Sequence, residues 1–168
     1  MVTTDPAYTE FVQERQGRLR RAAYLMCGDA DQAEDLLQEA LIALAEKWEK
    51  VEYPDAFVRK VIYRQRVSWW RKTRHETVVE TLPDRGVGDG AERRARDAEV
   101  HDVLRSLPPR QRAALVLRYF EDLTEAQAAE VMGIAVGTVK SLSHQAIARM
   151  REGLAAPGAA EQLWEGRR

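Results

Sequence analysis

Between Ala56 and His75 the chain carries seven cations and no acid: Arg59, Lys60, Arg64, Arg66, Arg71, Lys72 and Arg74. Tyr63 and the adjacent pair Trp69 and Trp70 are interleaved with them. Guanidinium and ammonium groups bind phosphates, and an indole among them offers a face on which a base can stack. That is chemistry suited to single-stranded DNA. On a helix, neighbouring residues point about 100° apart, so the two indoles cannot reach the same core. Val67 and Trp70, three apart, can both pack inward beyond a bend near Arg64–Arg66. Trp69 then faces the flank, near Tyr63, Arg66 and Arg71. The alternative is that Trp69 packs against the first helix among solvated arginines. The basic block is a phosphate-binding surface in either case.

The segment just upstream has the opposite sign. From Asp29 to Asp55 there are nine acids against Lys47 and Lys50. The formal net charge of −1 therefore conceals two opposed blocks, which suggests two different partners. Asp35, Gln38, Glu39, Ile42 and Glu46 share one helix face by their spacing. Acids and amides around one apolar residue suit either a plain solvated face or a dock for a basic helix. A third polar set lies near the C-terminus: Thr138, Lys140, Ser141, His144, Gln145 and Arg149.

Catalysis finds no support. No nucleophile–base pairing or phosphate-cradling glycine loop is present. His75, His101 and His144 lack metal-ligand spacing, and Cys27 is the single cysteine, read as a small buried residue. No cofactor is expected. With 45% hydrophobic and 32% charged residues, no secretory signal at the start and no apolar run of membrane-spanning length, the chain reads as a globular, cytoplasmic protein.

The elements that must position these residues are helical throughout. Asp5-Pro6 reads as an N-cap and first helical residue, opening a helix to about Met26 with Gly17 as a weak spot. Gly28-Asp29 punctuates. Ala33, Leu36, Leu37, Ala40, Leu41, Leu44, Ala45 and Trp48 then form one apolar stripe. Tyr53-Pro54-Asp55 breaks the chain, with Asp55 as a cap for a helix through about Arg74 whose inward side is Phe57, Val58, Val61 and Ile62. The glycine-rich stretch from Glu76 reads as a linker. A second helical block starts near Ala98, divided at Pro108-Pro109 and at Gly133. Thr124 caps a short helix, Gly133 suits a left-handed turn, and a longer helix runs from Val136 to about Gly153. Its inner face is Val139, Ala146, Met150 and Leu154, with Ile147 alongside, and its outer face is the third polar set. This layout is either an ordinary helical hairpin or a DNA-reading helix-turn-helix whose second helix enters the major groove. The expected fold is all-α: two small helical domains, 5–75 and 98–154, with a flexible linker at 76–97 and a tail at 155–168 around Trp164.

Together these motifs resemble a known family. The segment LPPRQRAALVLRYFEDLTEAQAAEVMGIAVGTVKS is similar to region four of a bacterial RNA polymerase sigma factor of the small extracytoplasmic-function type. GDADQAEDLLQEALIALAEKW and AFVRKVIYRQRVSWWRK are similar to region two, in the form of an actinobacterial SigE-like branch. The resemblance spans roughly residues 8 to 154. It implies a factor that binds core polymerase and directs it to promoters without covalent chemistry of its own. It implies that Asp35, Gln38, Glu39 and Ile42 dock on a coiled coil of the beta-prime subunit, with the beta subunit a further contact. It implies that Arg59, Lys60, Tyr63, Arg64, Arg66, Trp69, Arg71 and Lys72 open and hold the −10 element. Thr138, Lys140, Ser141, His144, Gln145 and Arg149 would read the −35 duplex, and an anti-sigma protein is a further possible partner. Linker acids Glu76, Glu80, Asp84 and Asp89 would pass near the active-centre channel, opposed by Arg85, Arg93, Arg94 and Arg96. The chain departs from the family at Arg64, where branch members tend to have Asn, at Ala135, which cannot cap a helix, and at Leu142, where an arginine is frequent. The rival from another class is a free-standing helix-turn-helix repressor or activator.

Overall fold

The computed structural model describes residues 5–73 and 91–154; the linker acids and the Trp164 tail lie outside them. Contacts divide the chain into two compact units, Met1–Val78 with Glu130–Gly133, and Val79–Ala129 with Ile134–Arg168. All described regular elements are helical.

In the first unit, α1 (Pro6–Cys27), α2 (Ala30–Lys47) and α3 (Pro54–Thr73) pack together, α2 contacting both others. Asp5 caps α1, its Oδ1 accepting from the Ala7 N–H at 2.8 Å. The helix runs unbroken through Gly17 and stops at Gly28, whose φ of 76° is the left-handed geometry glycine adopts without a Cβ penalty. Asp29 then caps α2 by accepting from Gln32 N–H at 2.8 Å. Ala33, Leu36, Leu37, Ala40, Leu41 and Leu44 are buried along the α2 stripe, and α1, which packs against α2, buries Leu19, Ala22, Ala23 and Met26. Trp48 departs from that stripe. It begins a 3₁₀ turn, and its indole N–H donates to Asp5 Oδ2 at 3.0 Å, with Tyr8 edge-on at 5.4 Å. The Tyr8 hydroxyl donates to the Leu41 carbonyl at 2.9 Å, and burial pushes its pKa up.

Pro54 is the first residue of α3, so Asp55 sits inside the first turn rather than capping it. The Tyr53 carbonyl takes the first helical bond, from Phe57 N–H at 3.1 Å. The Asp55 carboxylate instead faces Arg15 at 3.7 Å and Arg59 at 4.0 Å. No break interrupts α3 at the expected bend. Val58 and Ile62 are buried, whereas Phe57 and Val61 are half-buried.

The remaining helices are α4 (Ala91–Ser106), α5 (Pro109–Leu115), α6 (Glu125–Met132) and α7 (Val136–Gly153). The helix expected from Ala98 thus begins at Ala91, inside the stretch assigned to the linker. Pro109 occupies the first turn of α5, where a missing N–H is no loss. Residues Gln111 to Leu117 are all buried, and α5 packs against α7. A π-helical turn, Val116–Phe120, closes α5 and was not foreseen. Gly153 lies so close to α4 that a Cβ there would stand 2.8 Å from Val103 Cγ1.

Candidate functional site

α2 and α3 enclose a cleft of about 350 Å³, lined by Gln32, Asp35, Leu36 and Glu39 on one wall and Gln65, Arg66, Ser68, Trp69 and Lys72 on the other. The acidic ridge and the basic helix, read from the sequence as separate surfaces, therefore share one cleft. Asp35, Gln38 and Glu39 are exposed beside Ile42, which keeps 58% of its surface accessible in the middle of these polar groups. Gln38 is not wholly free: its Nε2 donates to Glu34 Oε1 at 3.0 Å. Glu34 also takes Arg20 Nε–H at 2.6 Å, an α1–α2 clasp at the edge of the acidic face. The Arg20 hydrogen bond, then that of Gln38, holds the Glu34 carboxyl below the usual carboxylate range.

The cations of α3 sort into two groups. Arg64, Arg71 and Lys72 are exposed, and Lys60 is half-buried. Arg59 is different: only 12% of its side chain is accessible and it pairs with Asp55. Tyr63 is more buried still. At 7% exposure it belongs to the core. Trp69 is half-buried and lines the cleft, with the Arg66 guanidinium stacked 4.8 Å from its ring centre. Trp70 and Val67 are also half-buried.

The helix-turn-helix geometry forms as α6, a turn and α7. Thr124 and Gln127 make a reciprocal cap, Gln127 N–H to Thr124 Oγ1 at 3.1 Å and Thr124 N–H to Gln127 Oε1 at 2.9 Å. Gly133 takes φ 65° in the turn. Val139, Ala146, Met150 and Leu154 are buried, as expected from their spacing, and so is Ser143, which the spacing did not single out. Lys140, Ser141, His144, Gln145 and Arg149 are exposed and Thr138 is half-buried. Ser141 Oγ donates to the Gly137 carbonyl at 3.1 Å. Gln145 Oε1 accepts from the buried Gln111 Nε2 at 3.0 Å, so its amide group is oriented from α5. Ala135 stands at the α7 N-cap with no side-chain bond.

Two exposed apolar residues escaped the sequence reading. Tyr53, 68% accessible, lies in the α2–α3 connection, and Val136, 45% accessible, opens α7. An aromatic inside a proline-marked break was the available signal for the first. For the second there was none, because valine at a helix start reads as core.

Comparison with known proteins bears on both units. Residues 11–76 match the family model for Sigma-70 region 2, and residues 97–150 match that for Sigma-70, region 4. The RNA polymerase sigma-E factor of Streptomyces coelicolor is 40% identical over 153 residues, covering 89% of this chain and 86% of the relative. The chain belongs to the sigma-70 family, in its extracytoplasmic-function group. A second sigma-E factor, from Streptomyces avermitilis, is 39% identical over 151 residues, 88% of this sigma factor and 84% of that one. In fold, the sigma factor is similar to RpoE solved in complex with the anti-sigma factor NepR from Bartonella quintana. The TM-score is 0.67 at 24% identity, over 86% of this chain and 96% of that one. It is also similar to CnrH solved in complex with the cytosolic domain of CnrY, with a TM-score of 0.64 at 19% identity, over 87% and 86%. This sigma factor is thus a promoter-recognising partner of RNA polymerase. Among the described residues, no helix is long and apolar enough to cross a membrane.

Proposed function

We propose that this sigma factor divides initiation between its two helical units. Asp35, Gln38, Glu39 and Ile42 dock on a basic helical element of core polymerase. Arg64, Arg71 and Lys72, with Lys60 behind them, attract the phosphates of the melted −10 strand, and Trp69 offers a stacking face to an unpaired base. Arg59 and Tyr63 support the helix rather than touch DNA. In the other unit Thr138, Lys140, Ser141, His144, Gln145 and Arg149 read the −35 duplex from the major groove. On this reading residues 5–75 and 98–154 are the two working parts, the protein acts in the cytoplasm, and it makes no covalent change itself. An anti-sigma factor, as NepR is for the solved RpoE chain of similar fold, is its third partner.

The observation that carries this reading is the shared cleft: Asp35 and Glu39 form one wall and Trp69 and Lys72 the other. A polymerase element docked on the first wall brings the second to its DNA. Run-off transcription with core enzyme and a promoter library tests the proposal. Promoter-specific transcripts that require both core and this chain are expected. Tight, specific binding of duplex by the chain alone would favour a free-standing regulator instead.

A further inference from the structure

The six cations of α3 look equivalent in the sequence, but Arg66 stands apart in the structure. Its guanidinium lies over the Trp69 ring at 4.8 Å, within cation–π range. Its Nε donates to the Met26 carbonyl at 3.4 Å. That carbonyl belongs to the last turn of α1, where the helix dipole favours a cation. Arg66 is half-buried, whereas Arg64, Arg71 and Lys72 are exposed. One planar group thus braces the end of α1 and backs one side of the indole. The indole also borders the α2–α3 cleft.

We propose that Arg66 is a positioning residue: it holds Trp69 as a stacking platform and does not itself bind a DNA phosphate. This rests on the reading that Trp69 receives an unpaired base. The physical argument is geometric. A phosphate contact is mainly a charge within reach, which Lys retains even where it loses the bidentate fork of Arg. Stacking behind an indole while donating along a fixed direction needs the planar fork that Lys lacks. The two roles therefore respond differently to Arg66→Lys.

The experiment uses the full chain with core polymerase on a linear promoter. Arg66→Lys, Arg66→Gln, Trp69→Ala and the Arg66→Lys/Trp69→Ala double variant are compared with the parent. Core association is scored by co-elution, promoter opening by permanganate reactivity of thymines, and promoter affinity across a range of salt. Arg66→Lys is expected to co-elute normally yet open the promoter roughly tenfold less well, close to Trp69→Ala, since base–aromatic stacking is worth about that much or more. The double variant should be no worse than Trp69→Ala alone. The slope of log affinity against log salt should stay unchanged in Arg66→Gln, whereas loss of a phosphate contact would reduce it by roughly 0.7 to 0.9. Normal opening by Arg66→Lys beside a defective Trp69→Ala overturns the positioning role alone. An additive double variant or a reduced salt slope does the same. Loss of core association in Arg66→Lys overturns it too, by exposing a general packing role. Normal opening by Trp69→Ala overturns the strand-holding reading itself, and the role of Arg66 with it.

Discussion

Single side chains in the first unit carry more than one bond each. Asp5 caps α1 through Oδ1 and accepts the Trp48 indole N–H through Oδ2, so one carboxylate ties the first residue of α1 to the end of α2. Losing a cap costs about 1 kcal/mol and orphaning a polar partner about as much again. Asp5→Ala should therefore destabilise the folded chain by roughly 2 kcal/mol in urea denaturation, while Asp5→Asn, which can still accept at the cap, should lose about half of that. Glu34 behaves differently because its effect titrates. Its folded pKa is lowered, first by the Arg20 hydrogen bond, so its contribution is present above its unfolded pKa of about 4.3 and is lost as pH falls through the folded value. Melting temperatures of the parent and Glu34→Gln should differ by a constant amount from pH 7 to pH 5 and converge in more acidic buffer. A gap that fails to narrow as the pH falls would refute this account. The Asp5 cap was legible in the sequence, because an Asp-Pro pair before a helix has one common meaning. Its bond to Trp48, 43 residues away, was not. The spacing put Trp48 on the apolar stripe because a periodicity argument assumes the helix continues, and here it tightens into a 3₁₀ turn.

At the scale of elements, α7 illustrates competing terms. Gly153 sits at its end, where replacing glycine by alanine should gain about 1 kcal/mol of helix propensity. The added Cβ, however, would meet Val103 Cγ1 at 2.8 Å, and overpacking costs about 1–3 kcal/mol. Gly153→Ala should therefore be neutral or destabilising, and it should become stabilising by about 1 kcal/mol in a Val103→Ala background, where the clash is removed. A double-mutant cycle by chemical denaturation measures that reversal directly. Failure of Val103→Ala to change the sign would mean that Val103 is not what holds Gly153. Helix positions and inner faces in α2 and α7 were readable because their apolar steps are regular. The start of α4 at Ala91 was not, since seven residues rich in arginine and alanine follow glycines and carry no apolar stripe. The π turn after α5 was also hidden, because its defining bond, Glu121 N–H to the Val116 carbonyl at 3.0 Å, is a backbone arrangement that no residue type marks.

For the molecule as a whole, the test of function is separability. Replacing Asp35, Gln38 and Glu39 together by alanine removes two charges and an amide from an exposed face and leaves the buried stripe of α2 untouched. The triple variant should keep the parent's helix content by circular dichroism and lose co-elution with core polymerase at low salt by at least tenfold, as close charge pairs steer and hold such encounters. Unchanged co-elution would remove the docking role from this face. The sequence alone determined the all-helical architecture, the two charged blocks and the short-helix, turn, longer-helix layout near the C-terminus, because periodicity, charge order and glycine placement are properties of neighbours along the chain. Only the tertiary structure decided that Tyr63 and Arg59 turn away from the open surface, that Arg66 braces Trp69, and that the acidic and basic walls face one cleft. The reason is physical. A helix face becomes a surface, a core or a cleft wall only when another helix packs beside it, and long-range packing of α1, α2 and α3 leaves no mark on local spacing.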